Sequence, residues 1–196
     1  PGQVPDRPES VRGAEDRGNA GARAAMIGGA DYTSNVGVSA LLGIPPKGKH
    51  AHSMVQLFIA MGMYELYAFR AYADVYPDDC LLLVDTINTL ESGIPNAIRI
   101  AREMAAAGNR LRAIRLDSGD LAYISKKARA LLDAAGLTDV KIVASNQLDE
   151  YLIASLLEQS SPIDMFGVGT KLICAYDQPA LDGIYKLCEY AGRPTL

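Results

Sequence analysis

The sequence predicts an α/β fold with parallel strands, and three features of the chain carry that expectation. Four short apolar runs, "CLLLVDT" (80–86), "LRAIRLDSGD" (111–120), "VKIVASN" (140–146) and "PIDMFGVGT" (162–170), have strand character. Between them lie segments with helical spacing of apolar residues, "IPNAIRIAREMAAAG" (94–108), 121–135 and "LDEYLIASLLEQ" (148–159). Strands separated by helices at such intervals pair in parallel through right-handed crossovers. The third feature is that every strand ends in a polar set.

Taken in order, residues 1–20 hold only Val4 and Val11 as large apolar groups among Pro, Gly and charges. Such a stretch buries too little surface to offset chain entropy, so it reads as a tail or a poorly anchored lead-in, with the α/β domain occupying 21–196. Ser34 or Asn35 is placed to cap a short helix that stops before Pro45. A longer helix is expected from Ser53 to just before Pro77, with Val55, Phe58, Ile59, Met63, Leu66 and Tyr67 at helical spacing. Gly108 closes the 94–108 helix, and Gly136 follows the helix of 121–135.

Composition narrows the function. The chain has 196 residues, 49% apolar, with 19 basic against 23 acidic residues, so no electrostatic footprint for nucleic acid exists. Phosphate-bearing small molecules remain compatible with this balance, because local dipoles and a few Arg suffice to hold them. Cys80, Cys174 and Cys188 have no paired spacing, which argues against a disulfide framework or zinc site and for a reducing compartment. No uninterrupted apolar run reaches the length of a membrane span, and the expected location is the cytoplasm.

Two architectures satisfy the alternation, a doubly wound open sheet and a (β/α) barrel. The polar ends discriminate between them. They are Asp85 and Thr86; Arg115, Asp117, Ser118 and Asp120; Ser145 and Asn146; and Gly167, Gly169 and Thr170. In a barrel all four sets converge at the carboxyl face, whereas in an open sheet only those at a switch point do. A site drawing on four successive strands favours the barrel.

Each polar residue also has a plainer explanation. Ser118 or Asp120 can be a helix N-cap, Asp85 can cap "TINTLESG", and glycines at turns are common. His50 and His52 can form a surface pair; their alternation suits a metal, but no third ligand is visible nearby.

Five stretches together resemble nicotinate phosphoribosyltransferase, in the same order and with similar spacing: "IGGADYTSNVGVSALLGIPPKGKHAHSMVQLF", "LLLVDTINTLESGIPNAI", "IRLDSGDLAYISKKAR", "IVASNQLDEYLI" and "FGVGTKLICAYDQPALDGIYKLCEY". The resemblance covers about residues 21–190. It implies the irregular (β/α) barrel of the type II phosphoribosyltransferases, incomplete in this chain, and a central fragment of a longer enzyme. The implied reaction joins nicotinate to the ribose of phosphoribosyl pyrophosphate, giving nicotinate mononucleotide and pyrophosphate for NAD synthesis. It further implies coupled ATP hydrolysis through a phosphohistidine, Mg²⁺ carried with phosphoribosyl pyrophosphate, and a homodimer. A catalytically silent fragment, or a same-fold transferase acting on nicotinamide or quinolinate, stands as the alternative.

Under this resemblance "GKHAHS" assigns His52 as the phosphorylated residue, leaving His50 as a variable neighbour and Lys49 where the family usually has threonine. Arg115 is the guanidinium for the planar carboxylate of nicotinate. Asp117 and Asp120 face the positive charge that develops on the sugar as pyrophosphate leaves. Asp85, Ser118, Ser145 and Asn146 complete the substrate-binding set, and the turn of Gly167, Gly169 and Thr170 offers backbone N–H groups to the 5′-phosphate. The family's arginine-rich loop upstream of "ARAA" is not reproduced by "VRGAEDRGNA", so Arg12 and Arg17 receive no role.

Overall fold

A computed structural model describes residues 10–173 and 188–194. Cys174, and the last quoted stretch between residues 174 and 187, lie outside the described residues. The described residues fall into two compact units, one of 10–48 with 169–173 and the other of 49–168 with 188–194. This division differs from the expected boundary after residue 20.

In the first unit, α1 (Ser10–Ile27) runs through the second half of the segment read as a lead-in and contacts α2 (Val36–Leu42) and the short α8 (Thr170–Ile173). Its composition explains the difference: Ala, Arg and Glu are strong helix formers, and a helix can form there with little apolar surface. Asn35 caps α2 as expected, its side chain accepting from the Val38 N–H at 3.1 Å, and Gly43 ends the helix at φ 66°.

The second unit contains the sheet. The single helix expected from Ser53 is two, α3 (His52–Ala60) and α4 (Glu65–Val75). Gly62, at φ +81°, breaks the run, since a left-handed residue cannot continue an α-helix. Four strands follow, β1 (Leu81–Leu83), β2 (Ala113–Leu116), β3 (Lys141–Ser145) and β4 (Met165–Gly167), shorter than the apolar runs that announced them. Their connecting helices are α5 (Ile94–Ala106), entered through a π-helical turn at Thr89–Gly93, α6 (Leu121–Ala134) and α7 (Glu150–Glu158). A small hairpin of β5 (Glu189–Tyr190) and β6 (Arg193–Pro194) turns through Ala191 and Gly192, both at positive φ.

All pairings in the main sheet are parallel and the order is β1-β2-β3-β4. Sequential order is what one sector of a barrel requires, whereas a doubly wound sheet reverses direction at a switch point. The four strands form an open sheet, with no closed barrel among the described residues.

Alternation along the strands separates two faces. Leu82, Val84, Ile114, Leu116, Ile142 and Ala144 face the main core, where they meet Ile94, Ile100 and Met104 of α5, Ala128 and Leu132 of α6, and Phe69 of α4. On the other face Leu81, Ala113 and Val143 make a small separate cluster. Arg115 and Ser145 share that second face and lie toward the carboxyl ends. No helix among the described residues is long and apolar enough to cross a membrane.

The tightest junction in the unit is between α5's entry turn and β1. A Cβ built on Gly93 would sit 1.7 Å from the Val84 carbonyl oxygen, which is backbone and cannot rotate away. Gly93→Ala is therefore expected to destabilise the protein by about 3 kcal/mol or more. A urea midpoint unchanged from wild type would contradict this packing.

Candidate functional site

The site lies at the carboxyl ends of β1, β2 and β3, where the first residue of α3 meets them. Beyond β1, Asp85 is a half-buried residue whose side chain is only 1% exposed. Its Oδ2 accepts the Asp117 N–H at 2.8 Å and the Ser118 hydroxyl at 2.6 Å. Its Oδ1 is buried without a hydrogen-bond partner among the described residues and lies 3.9 Å from His52 Nε2. Asp85 therefore ties two strand ends together and does not cap the following turn. That cap is Asn88, whose side chain accepts from the N–H groups of Leu90 and Glu91.

Arg115 projects from β2, with Nε donating to Ser145 Oγ at 2.6 Å and Nη2 to Asp117 Oδ1 at 2.9 Å. The Ser145 hydroxyl donates in turn to Asp117 Oδ1. Burial by itself would raise the Asp117 carboxyl. Contacts from His52 and Ser145, with the charge and N–H of Arg115, outweigh burial and hold it well below the usual carboxylate range. Asp117 is thus an anion at neutral pH. Nε and one Nη2 hydrogen are engaged, and Arg115 Nη1 has no acceptor among the described residues.

His52 opens α3. Its Nδ1 is 3.0 Å from Thr86 Oγ1, and its Nε2 faces Asp117 Oδ2 at 3.6 Å as well as Asp85 Oδ1. Two carboxylates around Nε2 favour the proton there, which leaves the Nδ1 lone pair to accept the Thr86 hydroxyl. The N-cap of α3 is Ala51, which offers no side-chain bond to the helix N–H groups. Lys49 is half-buried nearby; burial first, and then the positive charge of Arg115, push its ammonium down to about 8.

His50 does something different from its neighbour and is not part of a surface pair. It is 7% exposed, its Nε2 accepts the Leu83 N–H at 3.0 Å, and its ring packs edge-on against Tyr72. That bond satisfies a donor on the outer edge of β1 and leaves Nε2 unavailable to a metal.

Of the remaining expected residues, Asp120 is exposed, and its Oδ1 accepts the Tyr123 N–H at 3.0 Å as the N-cap of α6. The plainer explanation holds for it, and it stands outside the His52–Asp85–Asp117 group. Ser118 joins the site through Asp85. Asn146 is exposed at φ 89°, followed by Gln147 at φ 49°, so the chain leaves β3 through two left-handed residues. Gly167 pairs with Ser145, and a Cβ built on it would meet the Ser145 Cβ at 3.4 Å. Gly169 and Thr170 belong to the other unit, where Thr170 begins α8. Thr86 was visible among the strand-end residues but nothing singled it out, because its role depends on a histidine 34 positions away.

Burial holds His50 neutral, pushing its imidazole down to about 4, with Arg115 adding to the effect against the Ala51 carbonyl. The unfolded chain takes up this proton near pH 6.5 and the folded chain only near pH 4, so stability is complete above 6.5 and falls between those values. The loss is on the order of 3 kcal/mol. In His50→Gln, whose amide oxygen can accept the same N–H, this decline is expected to disappear while the loss below pH 4 from Asp117 persists. Denaturant titrations from pH 7 to 3 check it, and parallel curves for both proteins would refute it.

The chain is 55% identical over 169 residues to the nicotinate phosphoribosyltransferase of Bacillus subtilis (strain 168), covering 85% of this chain and 33% of that protein. It is 50% identical over 173 residues to nicotinate phosphoribosyltransferase pncB2 of Mycobacterium tuberculosis (strain ATCC 25618 / H37Rv), covering 87% and 35%. Among solved structures, human nicotinic acid phosphoribosyltransferase matches with a TM-score of 0.68 at 26% identity, covering 99% of this chain and 45% of that one. No family model matches the chain. It spans about a third of the length of these curated relatives.

Proposed function

We propose that this chain, which belongs to the nicotinate phosphoribosyltransferase family, carries the residues that join nicotinate to the ribose of phosphoribosyl pyrophosphate. The observation that supports this most directly is the Arg115–Asp117–Ser145 cluster facing His52 across the strand ends. The ring nitrogen of nicotinate attacks the anomeric carbon, and the bond from that carbon to the pyrophosphate oxygen breaks. Positive charge develops on the sugar between the two events. An ionised carboxylate beside it stabilises that state more than the ground state, and Asp117 is held ionised for this role. Arg115, with Nη1 and the second Nη2 hydrogen to spare, donates to the carboxylate of nicotinate.

Mg²⁺ carried with phosphoribosyl pyrophosphate would neutralise the charge of the leaving pyrophosphate, and the side-chain donor within its reach would be the partly exposed Asp117 carboxylate. ATP acts through His52. The Nδ1 lone pair attacks the γ-phosphorus, the bond to the β-phosphate oxygen breaks, and ADP leaves. The two carboxylates at Nε2 favour the charged ring that results. That Ala51 gives the first turn of α3 no side-chain cap supports this reading, since the N–H groups of His52 and Ser53 could then donate to the phosphoryl oxygens.

Two measurements on the protein carrying this chain test the proposal. Arg115→Ala is expected to raise the KM for nicotinate by a factor equivalent to roughly 2–5 kcal/mol, with Arg115→Lys restoring little, since an ammonium lacks the fork that matches a carboxylate. An unchanged KM would remove Arg115 from the nicotinate site. With γ-labelled ATP, acid-labile label is expected in wild type and His50→Gln and absent from His52→Ala. Label that survives in His52→Ala would place the phosphohistidine elsewhere.

A further inference from the structure

Glu65, the first residue of α4, is a buried acid that the reaction described above does not use. It is 1% exposed, and its Oε2 accepts from Ser92 Oγ at 2.6 Å and Asn96 Nδ2 at 2.9 Å. The Asn96 amide also donates to Ser92 Oγ at 3.3 Å, which closes the group on itself. Its Oε1 is buried with no hydrogen-bond partner among the described residues. A helix-opening acid normally stays in water, where the helix dipole favours it at no desolvation cost. This one has been taken into the core.

The two elements it joins both reach the site. Glu65 follows α3, whose first residue is His52, across the break at Gly62. Ser92 and Asn96 lie on the π-helical turn and the start of α5, which follow Asp85 and Thr86 by a few residues. The segment between is held closely. Val84 donates to the Arg115 carbonyl at 3.2 Å, Asn88 caps the turn, and Gly93 lies against the Val84 carbonyl. A displacement at Ser92 therefore moves Asp85 and Thr86 with it. The His52–Thr86 contact, in the site, and the Glu65–Ser92–Asn96 contact, in the core, both fasten the α3–α4 pair to the stretch from Thr86 to Asn96, beside the exposed Arg70–Glu103 pair between α4 and α5.

We propose that Glu65 is a positioning residue for His52: by accepting from Ser92 and Asn96 it fixes the segment bearing Asp85 and Thr86 against the helical hairpin that begins at His52. Burial raises the Glu65 carboxyl above its ordinary value, against the bonds from Ser92 and Asn96 and with help from the negative charge of Asp85. Glutamine can accept the same two hydrogen bonds through its amide oxygen, so the carboxyl's charge is dispensable to the fastening. The proposal matters for catalysis only through the reading of His52 given above, and its test is kept separate from that reading.

The test is the tautomer of the neutral His52 ring, read from imidazole ¹⁵N shifts of histidine-labelled protein, with signals assigned by His50→Gln and His52→Gln. Wild type and Glu65→Gln are expected to show one tautomer at His52, protonated at Nε2. Glu65→Ala is expected to show a mixture of both, with the His50 signals unmoved because Leu83 still donates to its Nε2. Leu132→Ala, a buried truncation in α6, is the control for general loss of stability, and its melting temperature is measured beside that of Glu65→Ala. Wild-type tautomer in Glu65→Ala, an equal shift in Leu132→Ala at matched destabilisation, or failure of Glu65→Gln to preserve the wild-type signal would each overturn the positioning role. Absence of phosphoryl label in wild type would sink the reading of His52 and leave this result standing.

Discussion

The carboxylate of Asp85 is the tie on which the site depends. β1 and β2 stop pairing after the Val84–Arg115 bond, and the next donor along β2, the Asp117 N–H, has no strand to receive it. Asp85 Oδ2 takes that N–H and the Ser118 hydroxyl together, so the two strand ends leave the core in a fixed relation. Asp117 is oriented by this bond, with one oxygen turned to Arg115 and Ser145 and the other to His52. The arrangement leaves Asp85 Oδ1 buried beside the imidazole, a state that is tolerable only with positive charge or a ligand close at hand.

A second constraint acts from the core. β1 is the outer strand of the described sheet, and an outer strand has backbone groups to satisfy. His50 answers one of them at Leu83, and Gly93 permits α5's entry turn to lie directly on Val84. Glu65 holds that same turn from α4. Three residues with little chemical resemblance thus serve one purpose, the placement of the short segment that carries Asp85 and Thr86. Arg115 and Ser145 share their face of the sheet with the buried Leu81, Ala113 and Val143, while the opposite face is packed with apolar side chains from α4, α5 and α6.

Much of this was legible in the chain before its tertiary structure. The alternation of apolar runs with amphipathic segments located the parallel sheet, and the polar sets at the run ends located His52's partners Asp85 and Asp117, along with Arg115 and Ser145. Less legible were features whose cause is remote. The apolar spacing from Ser53 to Tyr67 continues across Gly62, so one helix was expected where a left-handed glycine makes two. His50 and His52 look alike at alternate positions, yet one is bound to an outer strand and the other to a threonine 34 residues on. Glu65 carried no signal at all, because an acid in a helix's first turn is ordinary and only its burial makes it unusual.

By itself, then, the sequence determined which residues are apolar, at what period, and which polar groups stand at the strand ends. These are local properties, set by side-chain chemistry and by the repeat of helix and strand. The tertiary structure decided how those polar groups divide their work. Asp117 became an anion held by Arg115 and Ser145, whereas Asp120, three residues along, became a helix cap. The physical reason is that hydrogen bonding and desolvation depend on neighbours brought together by the sheet register and the crossing helices. No pattern within a few residues of sequence contains those neighbours.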